Sequence, residues 1–168
     1  MNTWGLSSSV WLAENIYPQL ESLTKIDFSD TLKRMPRSDL CQSVNSMLNA
    51  CQTFSIESID LSENFLDYDG ARAFKEFLSS CSHLQILKLD SCKLGPKSCE
   101  MILEAVMQNP NLKLKQFSAP RNEFEEEGFQ LLGEAFASMQ SLQYVNFSTC
   151  VNDEKKNNGL HFMIQALL

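Results

Sequence analysis

The sequence predicts an α/β solenoid of about five strand–helix repeats, curved into a horseshoe arc with parallel strands on the concave face and helices on the convex face. Two observations predict it. The apolar spacing L-x-x-L-x-L-x-x-(N/C/T) recurs along almost the whole chain, and each occurrence is followed by apolar residues at helical spacing. The first pattern suits a short strand whose alternate residues point the same way, and the second a helix with one apolar stripe. Neither unit buries its apolar side alone, so neighbours must stack.

The spacing is that of a leucine-rich repeat. Its extended segments are LTKIDFSDT from Leu23, IESIDLSEN from Ile56, LQILKLDSC from Leu84, LKQFSAPRN from Leu114 and LQYVNFSTC from Leu142. Their starts lie 33, 28, 30 and 28 residues apart (56−23, 84−56, 114−84, 142−114), which leaves room for a full helix in each unit. In the second unit Ala71, Phe74, Phe77 and Leu78 share a helix face; in the third Ile102, Leu103 and Val106 do; in the fourth Leu131, Leu132, Ala135 and Phe136. Gly70 and Gly128 are expected to mark the turn into the helix. Residues 1–22 read as the helix of an incomplete preceding repeat, with Leu12, Ala13, Ile16, Tyr17 and Leu20 apolar and Pro18 ending or kinking it. Residues 23–168 then form five repeats, the last incomplete. The expectation is a single domain truncated at both ends, with further repeats or a partner covering those ends.

Composition restricts the function. A chain of 168 residues with 43% hydrophobic content can bury a core without staples. A net charge of −7 disfavours nucleic acid and anionic membranes and favours a basic partner. No apolar run approaches the roughly 20 residues of a membrane span, so no membrane insertion is expected. Six cysteines are present, none in a C-x-x-C pair, and neither a metal site nor a cofactor is expected. Most of them follow the repeat: Thr31, Asn64, Cys92, Asn122 and Cys150 stand in turn at the position after each strand. In this architecture that side chain points inward and hydrogen-bonds loop backbone. Cys51 and Cys81 fall at helix ends and Cys99 near a helix start.

Groups that transfer protons are scarce, since His83 and His161 are the only histidines and no nucleophile motif is present. Catalysis within this chain is not expected. A solenoid offers instead a concave surface and an adjoining rim of loops. The expected concave set is Lys25, Asp27, Ser58, Asp60, Lys88, Asp90, Gln116, Ser118, Tyr144 and Asn146, and the rim carries Asp30, Arg34, Glu63, Ser91, Arg121 and Thr149. Of these Asp30, Asp60, Glu63, Lys88, Asp90 and Arg121 are the candidate partner-binding residues. Acids in Glu57–Asp69 and the run Glu123, Glu125, Glu126 and Glu127 suit a basic protein partner, although a solvated surface carries such charges too.

Several segments in register carry a more specific likeness: WLAENI followed by FSD, Leu61-Ser62-Glu63-Asn64 followed by Asp69-Gly70-Ala71, LKLDSCKLG, and PRNEFEEEGF. From about Trp11 to Leu168 the chain resembles the Ran GTPase-activating proteins. The resemblance implies a horseshoe that binds a Ran-type small GTPase in its GTP-bound form and helps to order the GTPase's own catalytic glutamine, without an arginine finger. It implies a cytoplasmic setting and leaves association with the nuclear envelope open. Carried residue by residue, it places the family's rim arginine on Arg34, or on Arg37 with a different gap, and the turn asparagine that contacts the glutamine on Ser91. Arg34 and Ser91 are thus the candidate catalytic residues. The alternative function is a non-catalytic leucine-rich-repeat scaffold that binds another protein.

Overall fold

The computed structural model describes residues 5–150. Helix α1 (Leu6–Asn15) leads through a 3₁₀ turn (Tyr17–Gln19) into four strand–helix units and a final strand: β1 (Lys25–Asp27), α2 (Arg37–Ala50), β2 (Ser58–Asp60), α3 (Asp67–Ser80), β3 (Ile86–Lys88), α4 (Pro96–Gln108), β4 (Gln116–Ser118), α5 (Glu125–Ala137) and β5 (Tyr144–Asn146). The five strands are parallel and ordered β1-β2-β3-β4-β5. This is the α/β repeat arc expected from the spacing. The expected last helix, including His161, lies outside the described residues.

Sequential order follows from the repeat. Each helix packs on the next in the chain, α1 on α2 through α4 on α5, because each unit has its apolar stripe at the same place in its period. The central strand residues Ile26, Ile59, Leu87 and Phe117 are in register and buried, forming a row beneath the helices. Their outward neighbours are the concave face. At the C-terminal side the row widens into aromatics, where Phe117, Phe124, Phe129 and Phe136 surround Phe147 at centroid distances of 5.7 to 6.3 Å. Rings of this size each bury a large apolar area, which weighs heavily in core stability.

Pro18 acts as its fixed φ requires: α1 stops at Asn15 and the proline sits in the 3₁₀ turn. The glycines differ from expectation. Gly70 and Gly128 lie inside the first turns of α3 and α5 rather than in the turns before them. A Cβ on Gly70 would come within 2.5 Å of Leu66 Cβ, and one on Gly128 within 3.1 Å of Cys99 Sγ and Phe124 Cβ. What selects glycine there is close packing under the helix start.

Candidate partner-binding rim

Each strand ends in a loop that turns onto its helix, and the five loops form one edge of the arc. The residue just before the inward-pointing position is left-handed in every loop: Asp30, Glu63, Ser91, Arg121 and Thr149 all have φ between 53° and 63°. Backbone bonding between repeats imposes this conformation. The amide of Asp30 donates to Ser62 O at 2.9 Å, that of Glu63 to Asp90 O at 2.7 Å, that of Ser91 to Pro120 O at 2.9 Å and that of Arg121 to Ser148 O at 3.0 Å. The side chains therefore stand in a column on the rim. Left-handed backbone costs a non-glycine residue about 1–2 kcal/mol, which these repeated bonds offset.

Behind that column runs the ladder. Asn64 Nδ2 donates to Phe28 O at 2.7 Å and Leu61 O at 2.8 Å, while its Oδ1 accepts from Leu32 N at 2.7 Å. Asn122 does the same two repeats on, donating to Leu89 O and Ala119 O and accepting from the amides of Cys92 and Leu94, all at 2.8 to 3.0 Å. Between them Cys92 Sγ donates to Leu61 O at 3.3 Å, and Cys150 Sγ donates to Ala119 O at 3.1 Å. Thr31, in the first loop, bonds within its own loop, to Phe28 O. Burial pushes the thiols of Cys92, Cys51 and Cys81 up to about 12, and those of Cys41, Cys99 and Cys150 upward as well. Protonated sulfurs of this kind donate hydrogen bonds and are poor nucleophiles.

On the concave face the strand register corrects one expectation. The outward positions are Lys25, Ser58, Ile86, Gln116 and Tyr144 in one row, and Asp27, Asp60, Lys88, Ser118 and Asn146 in the next. Ile86 takes a concave place that pattern reading gave to Asp90. Asp90 lies two residues beyond the end of β3, where it accepts a bond from Ser118 Oγ at 2.9 Å and its amide donates to Ser62 Oγ. A strand of three residues, shorter than the apolar pattern suggests, causes the shift.

The acids at strand ends are committed to the fold. Asp27 Oδ1 accepts from the hydroxyl and the amide of Ser29, and these bonds, with Lys88 nearby, hold its carboxyl below the usual range. Asp60 Oδ1 accepts from Ser62 N at 3.0 Å, and its other oxygen lies 3.4 Å from Lys88 Nζ. Asp30 pairs with Lys33.

The rim column does bring three candidates together. Arg121 Nε donates to Ser91 Oγ at 2.6 Å, and Nη2 donates to Glu63 Oε1 at 2.9 Å. One guanidinium thus spans three repeats. Arg34 stands exposed in the loop between β1 and α2, two repeats from Ser91. Arg37 is tied to Asp67 at 3.0 Å, joining the starts of α2 and α3. Of the histidines, His83 lies on the opposite edge of the sheet, where Ser82 and His83 share a bond of 3.0 Å in a cavity of about 270 Å³ with Thr53, Phe54 and Phe77. The rim therefore presents oriented hydrogen-bond donors and charges.

One rim residue escaped the sequence reading. Phe65 follows the ladder asparagine, is 46% exposed and is also left-handed, at φ 48°. The equivalent residues in the next two units are Lys93 and Glu123, so an aromatic where sibling repeats carry charge was the signal available.

The chain is 29% identical over 157 residues to Ran GTPase-activating protein 1 of Xenopus laevis, a match covering 86% of this chain and 27% of that protein. It is 33% identical over 97 residues to Ran GTPase-activating protein of Drosophila melanogaster and 28% identical over 158 residues to Ran GTPase-activating protein 2 of Caenorhabditis elegans, covering 16% of each. The chain is thus similar in sequence to proteins named Ran GTPase-activating protein. It spans about a quarter of the length of the frog protein and less of the other two. No protein-family model matches the chain. Its fold is similar to the C-terminal domain of Caenorhabditis elegans tropomodulin (TM-score 0.67, 18% identity, 96% of this chain and 90% of that one) and to actin-binding site 2 of leiomodin-1 (TM-score 0.65, 12% identity, 96% and 88%). At those identities the likeness is one of fold alone. Among the described residues, no helix is long and apolar enough to cross a membrane.

Proposed function

We propose that the chain activates a Ran-type small GTPase, binding its GTP-loaded form through the concave face and the strand-end rim. The match over 157 residues to a Ran GTPase-activating protein carries this reading. The rim geometry suggests how it works. An activator of this kind adds no proton-transfer group; it orders the partner's own water-positioning glutamine, so its contribution is positioning and fixed electrostatics. Ser91 is shorter than the asparagine expected at its place, but Arg121 occupies a lone pair of its hydroxyl oxygen and leaves the hydroxyl proton free to donate outward. A serine held by a guanidinium that Glu63 also holds is preorganised, so less side-chain freedom is lost on binding. Arg34 supplies a second cation on the same rim, and Lys88 and the strand-end acids supply complementary charge on the concave face.

Single-turnover GTP hydrolysis by GTP-loaded Ran, with and without the chain, tests the proposal. Acceleration is expected. Absence of both acceleration and binding to the GTP-loaded form overturns it, and binding that ignores nucleotide state or acts on a non-GTPase protein favours the passive scaffold.

A further inference from the structure

Phe65 is held in a backbone conformation that disfavours a bulky side chain, at a place where the fold has no need of an aromatic. The loop's bonds there are backbone bonds, such as Asp67 N to Cys92 O at 3.0 Å, and the next loop makes the same left-handed turn with Lys93, at φ 56°. The ring is half in solvent, with Lys93 Nζ 4.8 Å from its centroid, and Tyr68, three residues on, is 39% exposed. A strained, exposed aromatic beside a charged rim is the composition of an interface anchor rather than of a solvated turn. Lys93 is the charge at the ring itself, and unmatched acids lie two repeats further along the same edge. Glu123, Glu125, Glu126 and Glu127 are exposed on the same edge and make no ion pair among the described residues, whereas Asp67 is matched by Arg37 and Asp69 by Arg72. Unmatched acids on the same edge as an apolar anchor complement a surface of lysines and arginines, whose aliphatic stems pack on a ring while their charged heads meet carboxylates.

We infer that Phe65, with Tyr68 and Lys93 at its side and the Glu123–Glu127 acids along the rim, is the anchor on which a basic surface of the GTPase docks. This rests on the GTPase reading above. It adds a contact beyond Ser91 and Arg121, two residues past Glu63 in the same loop.

The test compares the 168-residue chain with Phe65→Asn, Phe65→Ala, the pair Glu125→Lys and Glu126→Lys, and Met107→Ala, an exposed apolar control on the convex helix α4. Affinity for GTP-loaded Ran is measured by titration at two salt concentrations, and melting temperature is measured alongside. Asparagine accepts left-handed backbone, so Phe65→Asn should melt about 2–4 °C higher yet bind about tenfold more weakly. Phe65→Ala should bind as weakly, the charge-reversed pair should bind more weakly with less salt dependence, and Met107→Ala should match the parent. Undiminished binding by Phe65→Asn, in a chain whose parent binds, overturns the anchor and leaves the GTPase reading standing. So does weaker binding accompanied by a lower melting temperature. A parent chain that binds Ran in neither nucleotide state overturns both.

Discussion

Arg121 reaches back across the repeat boundary to donate from Nε to Ser91 Oγ at 2.6 Å, and the same guanidinium holds Glu63 two repeats away. Rim residues that are separated by 58 positions in the chain thus act as one hydrogen-bonded unit. Both ends of the bridge are partly solvated, so its stabilisation of the fold is small. Its consequence is orientation: the three side chains hold fixed positions relative to one another on the rim.

Removing that orientation should affect acceleration more than folding. Arg121→Ala and Arg34→Ala are expected to lower single-turnover acceleration of GTP hydrolysis by about 10–100-fold, the scale of one charge-assisted hydrogen bond at about 1.5–3 kcal/mol. Lys88→Ala, on the concave face, should lower it several times less. Urea midpoints of all three should stay close to the parent. Equal losses for Arg34→Ala and Lys88→Ala would contradict the rim placement.

The ladder should behave in the opposite way. Asn122 bonds two amides and two carbonyls in the interior, and truncation to alanine leaves those groups without partners or water. Asn122→Ala is expected to destabilise by about 2–4 kcal/mol in urea unfolding, since a stranded buried group costs about 1–3 kcal/mol and some of the loss relaxes. Cys150→Ser should cost less, because it retains a donor for Ala119 O. A change below about 0.5 kcal/mol for Asn122→Ala would show that the repeats do not depend on the ladder.

Glycine substitution separates close packing from helix propensity. Alanine gains up to about 1 kcal/mol over glycine in a helix interior. At Gly70 the added Cβ would meet Leu66 Cβ, an atom fixed to the backbone, at 2.5 Å, so strain of about 1–3 kcal/mol should win and Gly70→Ala should lower the melting temperature. At Gly128 the contacts are 3.1 Å or longer, and Gly128→Ala should be nearly neutral. The same thermal melts compare both.

Buried thiols make stability sensitive to alkali. Cys51, Cys81 and Cys92 have ordinary values of 9.0 and are held near 12, so the unfolded chain loses these protons first as pH rises. Their contribution is complete below pH 9 and is lost progressively between about 9 and 12. Asp27 acts with the opposite sign. Its depressed carboxyl adds stability that is present above the ordinary carboxylate range and lost as pH falls through its lowered value. Urea unfolding from pH 7 to 10.5 should show midpoints that decline above pH 9, and Cys92→Ala should lessen the decline. The native thiols should also react slowly with an aromatic disulfide reagent at pH 8; rapid reaction would contradict their burial.

Local pattern made most of the fold legible. Ile26, Ile59, Leu87 and Phe117 recur at one point of the repeat, and a recurring inward residue is enough to stack parallel strands in chain order. The position after each strand was equally legible, since Asn64, Cys92, Asn122 and Cys150 share it. Where strands are only three residues long, however, an alternating pattern does not say where pairing ends, and Asp90 was read as concave in the place of Ile86. Gly70 and Gly128 were read as turns for a related reason: pattern shows that a side chain is missing but not what occupies its space.

The sequence by itself determined the architecture, the order of the strands and the absence of an apolar span, because each depends on residues within one repeat period or on composition. Tertiary structure alone decided which rim groups act together. The bridge from Arg121 to Ser91 and Glu63, the left-handed column that displays it and the exposure of Phe65 depend on how far one repeat is set over the next. That offset comes from hydrogen bonds between loops, such as Glu63 N to Asp90 O, which no single repeat contains.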